Sequence, residues 1–199
     1  TNAATDITTG ATVLARTGVR DDGKPELSCI IVESGTPGFT AREMHGKLMW
    51  RASNTSELYF EDCRVPKENL LGPRGQGFHQ MMKTLDGGRL SIGAMGLGGA
   101  QGCFDMAMKY SREREQFGRP IATFQVNAFK LADMATKLEL ARLVTYKAAW
   151  NFDQGRIDPK LTSMAKMYAA RTAVEVADEA IQLLGGYGYM QEYEVERFY

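Results

Sequence analysis

Hydrophobic and polar residues follow different patterns in the two halves of the chain, and the pattern changes near Pro73. Before it, short apolar runs rich in β-branched residues are separated by Gly, Pro and Asp turns. The runs that predict strands are residues 11–15, 27–32 and 57–60. This half of the pattern predicts a small antiparallel β-sheet domain over residues 1–72.

After Pro73, apolar residues recur at the spacing of one helix face, first between Ala128 and Phe152 and again between Met164 and Ile181. Gly155 favours the end of a helix, and Asp158–Pro159 favours the start of the next one. The pattern therefore predicts an all-α bundle of long helices over residues 73–199, in which the last two helices are antiparallel.

One helix-like segment contains an unusual number of glycines. Each glycine in a helix interior costs about 1 kcal/mol relative to alanine, so close packing must compensate. Gly96–Leu97–Gly98 lacks the preceding strand and the spaced third glycine of a dinucleotide fingerprint. The segment therefore predicts a tight helix crossing rather than a phosphate loop. Its glycines are Gly93, Gly96, Gly98, Gly99 and Gly102.

Composition narrows the class of protein. The 199 residues are 44% hydrophobic and carry a formal net charge of zero. Since the cations form no basic stripe, a small organic ligand is favoured over nucleic acid. The longest uncharged stretch, Leu90–Phe104, is shorter than the roughly 18 residues expected of a membrane span. Cysteine and histidine spacing favours reduced, intracellular thiols and no metal site.

Two segments of the helical half combine amide or guanidinium groups with glycine. Arg114 precedes a Phe-Gly pair, and Gln125 begins the next predicted helix, so the two offer donors suited to a diphosphate. Gly185–Gly186 lacks Cβ atoms, which lets backbone N–H groups approach a ligand. The alternatives remain open: solvated surface residues at Arg114 and Gln125, and an ordinary helix C-cap at the glycines.

The segments at 112–121 and 182–189 together resemble the flavin-binding signature of the acyl-CoA dehydrogenase family. Segments 60–66, 85–89 and 194–197 resemble further landmarks of that family, in the family's order. The resemblance implies an α+β fold, in which the small antiparallel β-sheet domain precedes the all-α helical bundle. It also implies FAD-dependent conversion of an acyl-CoA, of short, medium or branched chain, to trans-2-enoyl-CoA, as in fatty-acid β-oxidation.

The same resemblance implies partners and site residues. Electrons would pass to an electron-transfer flavoprotein, and the protein would be a homotetramer built as a dimer of dimers. Asp86 and Arg89 would line the substrate entrance, although a helix-surface ion pair worth about 0.2 to 0.5 kcal/mol is the simpler alternative. The residues implied to bind FAD, several of them across a subunit interface, are Thr1, Arg114, Gln116, Phe117, Gln125, Gln182, Gly185 and Gly186.

The resemblance also implies where the catalytic base lies. None of Glu192, Glu194 and Glu196 matches the base, which is expected about three helical turns further on, past Tyr199. The family's alternative position for the base is occupied by Gly88. The chain is thus expected to be an internal to C-terminal fragment that lacks the N-terminal helical domain. It would belong to the bacterial cytoplasm or the mitochondrial matrix. An oxygen-using acyl-CoA oxidase and an inactive family member serving in binding or assembly are the alternatives.

Overall fold

The computed structural model describes residues 8–199, so Thr1, the implied contact to the isoalloxazine ring, lies outside the described residues. The chain divides into two compact units, of which the first ends at Lys83 and the second runs from Thr84 to Tyr199. The predicted domain boundary after residue 72 stays a prediction. None of the helices within residues 8–199 combines the length and apolarity needed to cross a membrane.

The first unit is built from two antiparallel sheets. Strand β1 (Gly10–Val19) pairs with β2 (Pro25–Glu33), which also pairs with the short β5 (Leu70–Leu71). Strand β3 (Phe39–Glu43) pairs with β4 (Ser56–Phe60). The predicted antiparallel sheet is therefore confirmed. Strand β3 was not predicted, because its five residues include two charged ones and show no apolar run.

The second unit contains most of the helical residues. Helix α1 spans Gly77–Glu113, α2 spans Gln125–Asp153 and α3 spans Pro159–Leu184. Ion pairs join Lys130 to Glu179 and Lys137 to Glu175, so moving forward along α2 means moving backward along α3. The predicted antiparallel pair of long helices is confirmed.

The break between α2 and α3 has the predicted local chemistry. Gly155 adopts a φ of 69°, a conformation that ends α2 without the steric cost borne by other residues. The Asp158 carboxylate caps α3 by accepting hydrogen bonds from the N–H groups of Lys160 at 2.9 Å and Leu161 at 3.2 Å. Pro159 occupies the first turn, where its missing N–H costs nothing.

Helices α1 and α3 approach each other closely through glycine. A Cβ at Gly96 would lie 3.2 Å from the carbonyl carbon and oxygen of Ala169, and a Cβ at Gly93 would lie 3.3 Å from the backbone nitrogen of Lys166. The predicted tight helix crossing is confirmed at these two positions. Gly98 instead faces open space, so it does not contribute to the crossing.

The interior of the second unit consists of small and aliphatic side chains from all three helices. Among them, the fully buried Cys103 thiol lies in the largest cluster, and burial raises its pKa to about 12. Within residues 8–199 the three cysteines form no disulfide; Cys29 is also buried, whereas Cys63 is partly exposed. The buried members of the cluster on α1 and α2 are Leu97, Ala100, Cys103, Ala107, Leu131, Met134, Leu138 and Ala141.

Candidate functional site

A short hairpin follows α1 and contains two of the predicted site residues. Strand β6 (Glu115–Gln116) pairs with β7 (Arg119–Pro120) around the loop Phe117–Gly118. Both loop residues have positive φ, 54° and 76°, as a type I′ turn requires. Glycine accepts this conformation, but a bulky residue such as phenylalanine adopts it at a steric cost.

Phe117 is also 93% exposed, so an apolar ring is held outward at an unfavourable backbone conformation. Its one aromatic neighbour within residues 8–199 is Phe124, at 6.2 Å between ring centroids in an edge-on arrangement. Packing inside the chain does not account for this placement. Strain of this kind is characteristic of residues retained for a contact outside the local fold.

The hairpin leads directly into the start of α2, where Gln125 lies. Phe124 caps this helix without a side-chain hydrogen bond, and the Arg119 guanidinium lies 4.3 Å from the Phe124 ring centroid. The Ile121 N–H donates to the Arg114 carbonyl at 2.8 Å, which ties the end of the hairpin to the end of α1. Gln125 is exposed, which fits both an amide offered to a ligand and the alternative of a solvated surface residue, so its binding role stays a prediction.

Arg114 is exposed and lies beside the second predicted segment. Its guanidinium lies over the ring of Tyr187, 5.6 Å from the centroid. No carboxylate oxygen within residues 8–199 lies within 4 Å of the guanidinium, unlike the situation at Arg74 or Arg142. Arg114 and Tyr187 are 73 residues apart in the sequence. The segments at 112–121 and 182–189 therefore meet at a cation that has no anionic partner within residues 8–199.

The turn Gly185–Tyr189 follows α3 and contains three glycines with different reasons to be glycine. Gly185 caps α3 with φ 60° and ψ −136°, a conformation almost restricted to glycine. Gly188 is buried, and a Cβ there would lie 2.4 Å from the Ile181 carbonyl oxygen. Gly186 has neither reason, since a Cβ there would face open space. Gln182, in the last turn of α3, is exposed.

Two further tyrosines, Tyr110 and Tyr193, lie beside Tyr187 at its contact with Arg114. The rings of Tyr187 and Tyr193 are 4.9 Å apart between centroids, and Tyr110 lies 6.0 Å from Tyr193 and 6.5 Å from Tyr187. Burial raises the pKa of Tyr110, against the opposing charge of Arg114. Sequence reasoning did not select these tyrosines. The one available signal was Tyr110, which lies one helical turn before Arg114.

Asp86 and Arg89 lie on α1 and face each other. Arg89 Nη1 donates to Asp86 Oδ1 at 2.6 Å, and Asp86 is 8% exposed. The pair thus forms the i, i+3 contact that the sequence offered as the simpler alternative, and its role at a substrate entrance stays a prediction. At 1.5 Å per residue, the 24 residues from Arg89 to the end of α1 place it about 36 Å from Arg114. The structure does not bring these two groups together.

The carboxylates near the end of the chain have local roles. Glu194 has a φ of 59° and pairs with Arg197 at 3.2 Å. Glu196 Oε2 is buried without a hydrogen-bond partner in the described part of the chain.

Gly88, which occupies the family's alternative position for the base, is exposed, and a Cβ there would meet open space. No group of three or more metal-ligating side chains comes together within residues 8–199.

The family comparison agrees with the segments described above. The family model for the acyl-CoA dehydrogenase C-terminal domain matches residues 75–199. The chain is 48% identical over 185 residues to a probable acyl-CoA dehydrogenase, YngJ, of Bacillus subtilis. That alignment covers 93% of this chain and 49% of YngJ.

Solved structures give the same result. Butyryl-CoA dehydrogenase from Megasphaera elsdenii is 43% identical with a TM-score of 0.88, over 94% of this chain and 49% of that one. A chain in a structure of the electron transferring flavoprotein of Acidaminococcus fermentans is 45% identical with a TM-score of 0.90, over 97% of this chain and 50% of that one. The present chain thus spans about half the length of these relatives.

Proposed function

Because this chain belongs to the acyl-CoA dehydrogenase family, we propose that the protein is an FAD-dependent acyl-CoA dehydrogenase acting in fatty-acid metabolism. It would convert an acyl-CoA thioester to the trans-2-enoyl-CoA, in the bacterial cytoplasm or the mitochondrial matrix. The observation that carries the proposal is the Arg114 guanidinium, which has no anionic partner within residues 8–199 and lies beside the glycine turn after α3.

The residues present fit a flavin dinucleotide. Arg114 provides a permanent positive charge for the diphosphate, and guanidinium groups bind phosphate oxygens through two parallel N–H donors. The open space at Gly186 allows backbone N–H groups to approach the adenosine side of the cofactor. Gln125, at the start of α2, and Gln182, near the end of α3, are exposed and would supply amide groups to the same ligand.

Each remaining role follows from the chemistry that the reaction needs. When bound, FAD supplies the acceptor for the hydride lost from the substrate Cβ. Asp86 and Arg89 are proposed to hydrogen-bond the CoA portion or the groups next to it, with each side chain holding the other in place. A carboxylate base is required for the Cα proton, and it is expected beyond Tyr199.

We propose that the protein assembles from identical subunits, as a dimer of dimers. Arg114 lies about 36 Å along α1 from the proposed substrate residue Arg89, which favours the two serving sites formed with different copies of the chain. The exposed ring of Phe117 also calls for a partner surface. In addition, α2 and α3 expose large apolar side chains, a feature typical of subunit interfaces. These are Leu140, Leu143, Tyr146, Trp150, Met164 and Met167.

Relatives suggest the substrate range and the electron acceptor. One similar protein is a butyryl-CoA dehydrogenase, which supports a short acyl chain for this protein as well. Another similar chain comes from a structure of an electron transferring flavoprotein, which supports an electron-transfer flavoprotein as the acceptor. We therefore propose a short-chain or branched acyl-CoA as substrate and that flavoprotein as partner.

The test is the anaerobic visible spectrum of the purified protein before and after addition of butyryl-CoA. A yellow protein whose flavin band bleaches is expected. A colourless protein would contradict FAD binding, and a yellow protein that does not bleach would favour the binding or assembly alternative. Oxygen consumption during aerobic turnover, without added electron-transfer flavoprotein, would instead identify an acyl-CoA oxidase.

A further inference from the structure

The contact between Arg114 and Tyr187 connects elements that are distant in sequence. Arg114 is the first residue after α1, whereas Tyr187 lies in the short turn after α3. The guanidinium carbon lies 5.6 Å from the ring centroid, within the range of a cation–π interaction. This contact therefore favours one position of the exposed Arg114 side chain, which otherwise has many rotamers.

The Tyr187 ring is itself held in position. It lies 4.9 Å from the Tyr193 ring and 6.5 Å from the Tyr110 ring, and Tyr110 packs against the buried cluster of the helical unit. Gly188, the next residue, lies so close to α3 that a Cβ would lie 2.4 Å from the Ile181 carbonyl oxygen. The tightly packed backbone at Gly188 and the two neighbouring rings thus restrict the position of Tyr187.

This arrangement orients Arg114 without neutralising it. An aromatic ring contacts the face of a guanidinium and leaves the N–H groups along its edge able to donate. A carboxylate would occupy those N–H groups, and none lies within 4 Å of Arg114 in the described part of the chain. A cation restrained in this way loses less side-chain entropy when an anion binds.

We propose that Tyr187 is a positioning residue, which holds the Arg114 guanidinium ready for the diphosphate of FAD. This inference rests on the proposed function and adds to it a residue that acts through Arg114. Tyr189 provides a matched control, because it lies in the same turn, is 85% exposed and makes no ring contact within residues 8–199.

The experiment measures the rate at which FAD leaves the diluted holoenzyme, from the rise in flavin fluorescence. Loss of a cation–π contact at an exposed site corresponds to about a two- to fivefold effect, so Tyr187→Leu should release FAD about two to five times faster. Tyr187→Phe keeps the ring and should release FAD at the original rate. Tyr189→Leu should leave the rate unchanged.

A double variant separates positioning from a direct or merely structural role. If Tyr187 acts through Arg114, adding Tyr187→Leu to Arg114→Ala should not accelerate release beyond Arg114→Ala alone. An equal acceleration in both backgrounds would overturn the positioning role. Circular dichroism checks the fold, and Tyr187→Met, a flexible side chain without a ring, replaces Tyr187→Leu if leucine disturbs the turn.

The outcomes distinguish this inference from the proposed function. Arg114→Ala alone should accelerate FAD release about tenfold or more, since a charged hydrogen bond to phosphate is lost. If it does so while Tyr187→Leu has no effect, positioning by Tyr187 is wrong and the cofactor site stands. If Arg114→Ala also has no effect, Arg114 does not bind FAD and both statements fail.

Discussion

The crossing of α1 with α3 and the hairpin that follows α1 differ in how far the chain itself accounts for them. At the crossing, Gly96 is explained by the Ala169 backbone 3.2 Å from its missing Cβ. At the hairpin, Phe117 is 93% exposed at a positive φ, and Arg114 has no anionic partner within residues 8–199. Residues of the first kind serve the fold, whereas the proposed function assigns those of the second kind to a ligand or another subunit.

The largest expected effect is the loss of stability on substitution within the crossing. Gly96→Leu places a branched side chain against a backbone that yields only if the helices separate, so the free energy of unfolding should fall by about 2 to 3 kcal/mol. Gly98→Leu is the matched control. A Cβ at Gly98 meets open space, so leucine should preserve or raise stability through its better helix propensity.

Thermal unfolding followed by circular dichroism measures both variants. A much lower melting temperature for Gly96→Leu than for Gly98→Leu is expected. Equal melting temperatures would show that the α1–α3 crossing does not limit the size of residue 96, and the contrast between the two regions would lose its structural basis.

An intermediate effect is expected from the buried thiol of Cys103. Its pKa is about 12 in the folded chain, against an ordinary value of 9.0. Because the raised value belongs to the folded state, the unfolded chain loses its proton first as the pH rises, and stability falls between these two values. From pH 8 to pH 10 this thiol should lower the free energy of unfolding by roughly 1 kcal/mol.

Urea unfolding at pH 8 and pH 10 checks this, with Cys103→Ala as the control. The variant leaves a small cavity at both pH values, but it lacks the titrating group, so its stability should fall less between them. If both proteins lose the same free energy of unfolding, the Cys103 thiol is not responsible for the alkaline loss.

The smallest effect on stability is expected at the hairpin. Phe117→Asn removes an edge-on contact to Phe124 but relieves a steric cost, because asparagine tolerates positive φ better than phenylalanine. The two changes oppose each other, so the free energy of unfolding should change by no more than about 0.5 kcal/mol.

Assembly and cofactor retention, unlike stability, should change measurably in the same variant. Sedimentation velocity and the flavin absorbance of purified Phe117→Asn are expected to show weaker self-association or lost FAD. The reason is that the variant lacks the exposed ring proposed to contact a partner surface. Unchanged assembly and flavin content would assign Phe117 to the same class as ordinary surface residues, and the comparison would then depend on Arg114 alone.

Much of the fold was predictable because it depends on residues close together in sequence. Asp158 and Pro159 are consecutive, so the start of α3 could be read directly. The long helices have an apolar face that repeats over many turns. Strand β3 was not predicted in this way, since its five residues include two charged ones and no apolar run, and its pairing with β4 became visible only in the structure.

The candidate site likewise contains residues that the sequence indicated and spatial relations that it did not. Arg114, Gln125 and Gly186 were selected from the sequence, through their residue types and the family resemblance. Tyr187 was present in a quoted motif, but nothing local indicated that its ring lies beside Arg114. Similarly, Asp86 and Arg114 both belong to the expected pattern, and only the continuous helix α1 shows how far apart they lie.

The sequence by itself determined the family, the antiparallel sheets followed by helices, the break at Gly155–Asp158 and the tight glycine crossing. The family follows from the resemblance of the segments at 112–121 and 182–189, whereas the sheets, the helix break and the crossing follow from local backbone preferences and from the period of the apolar residues. Only the tertiary structure decided that the Tyr187 ring lies beside the Arg114 guanidinium and that one continuous helix separates Arg89 from Arg114 by about 36 Å. Such relations join residues distant along the chain, and they exist only once packing has brought the helices together.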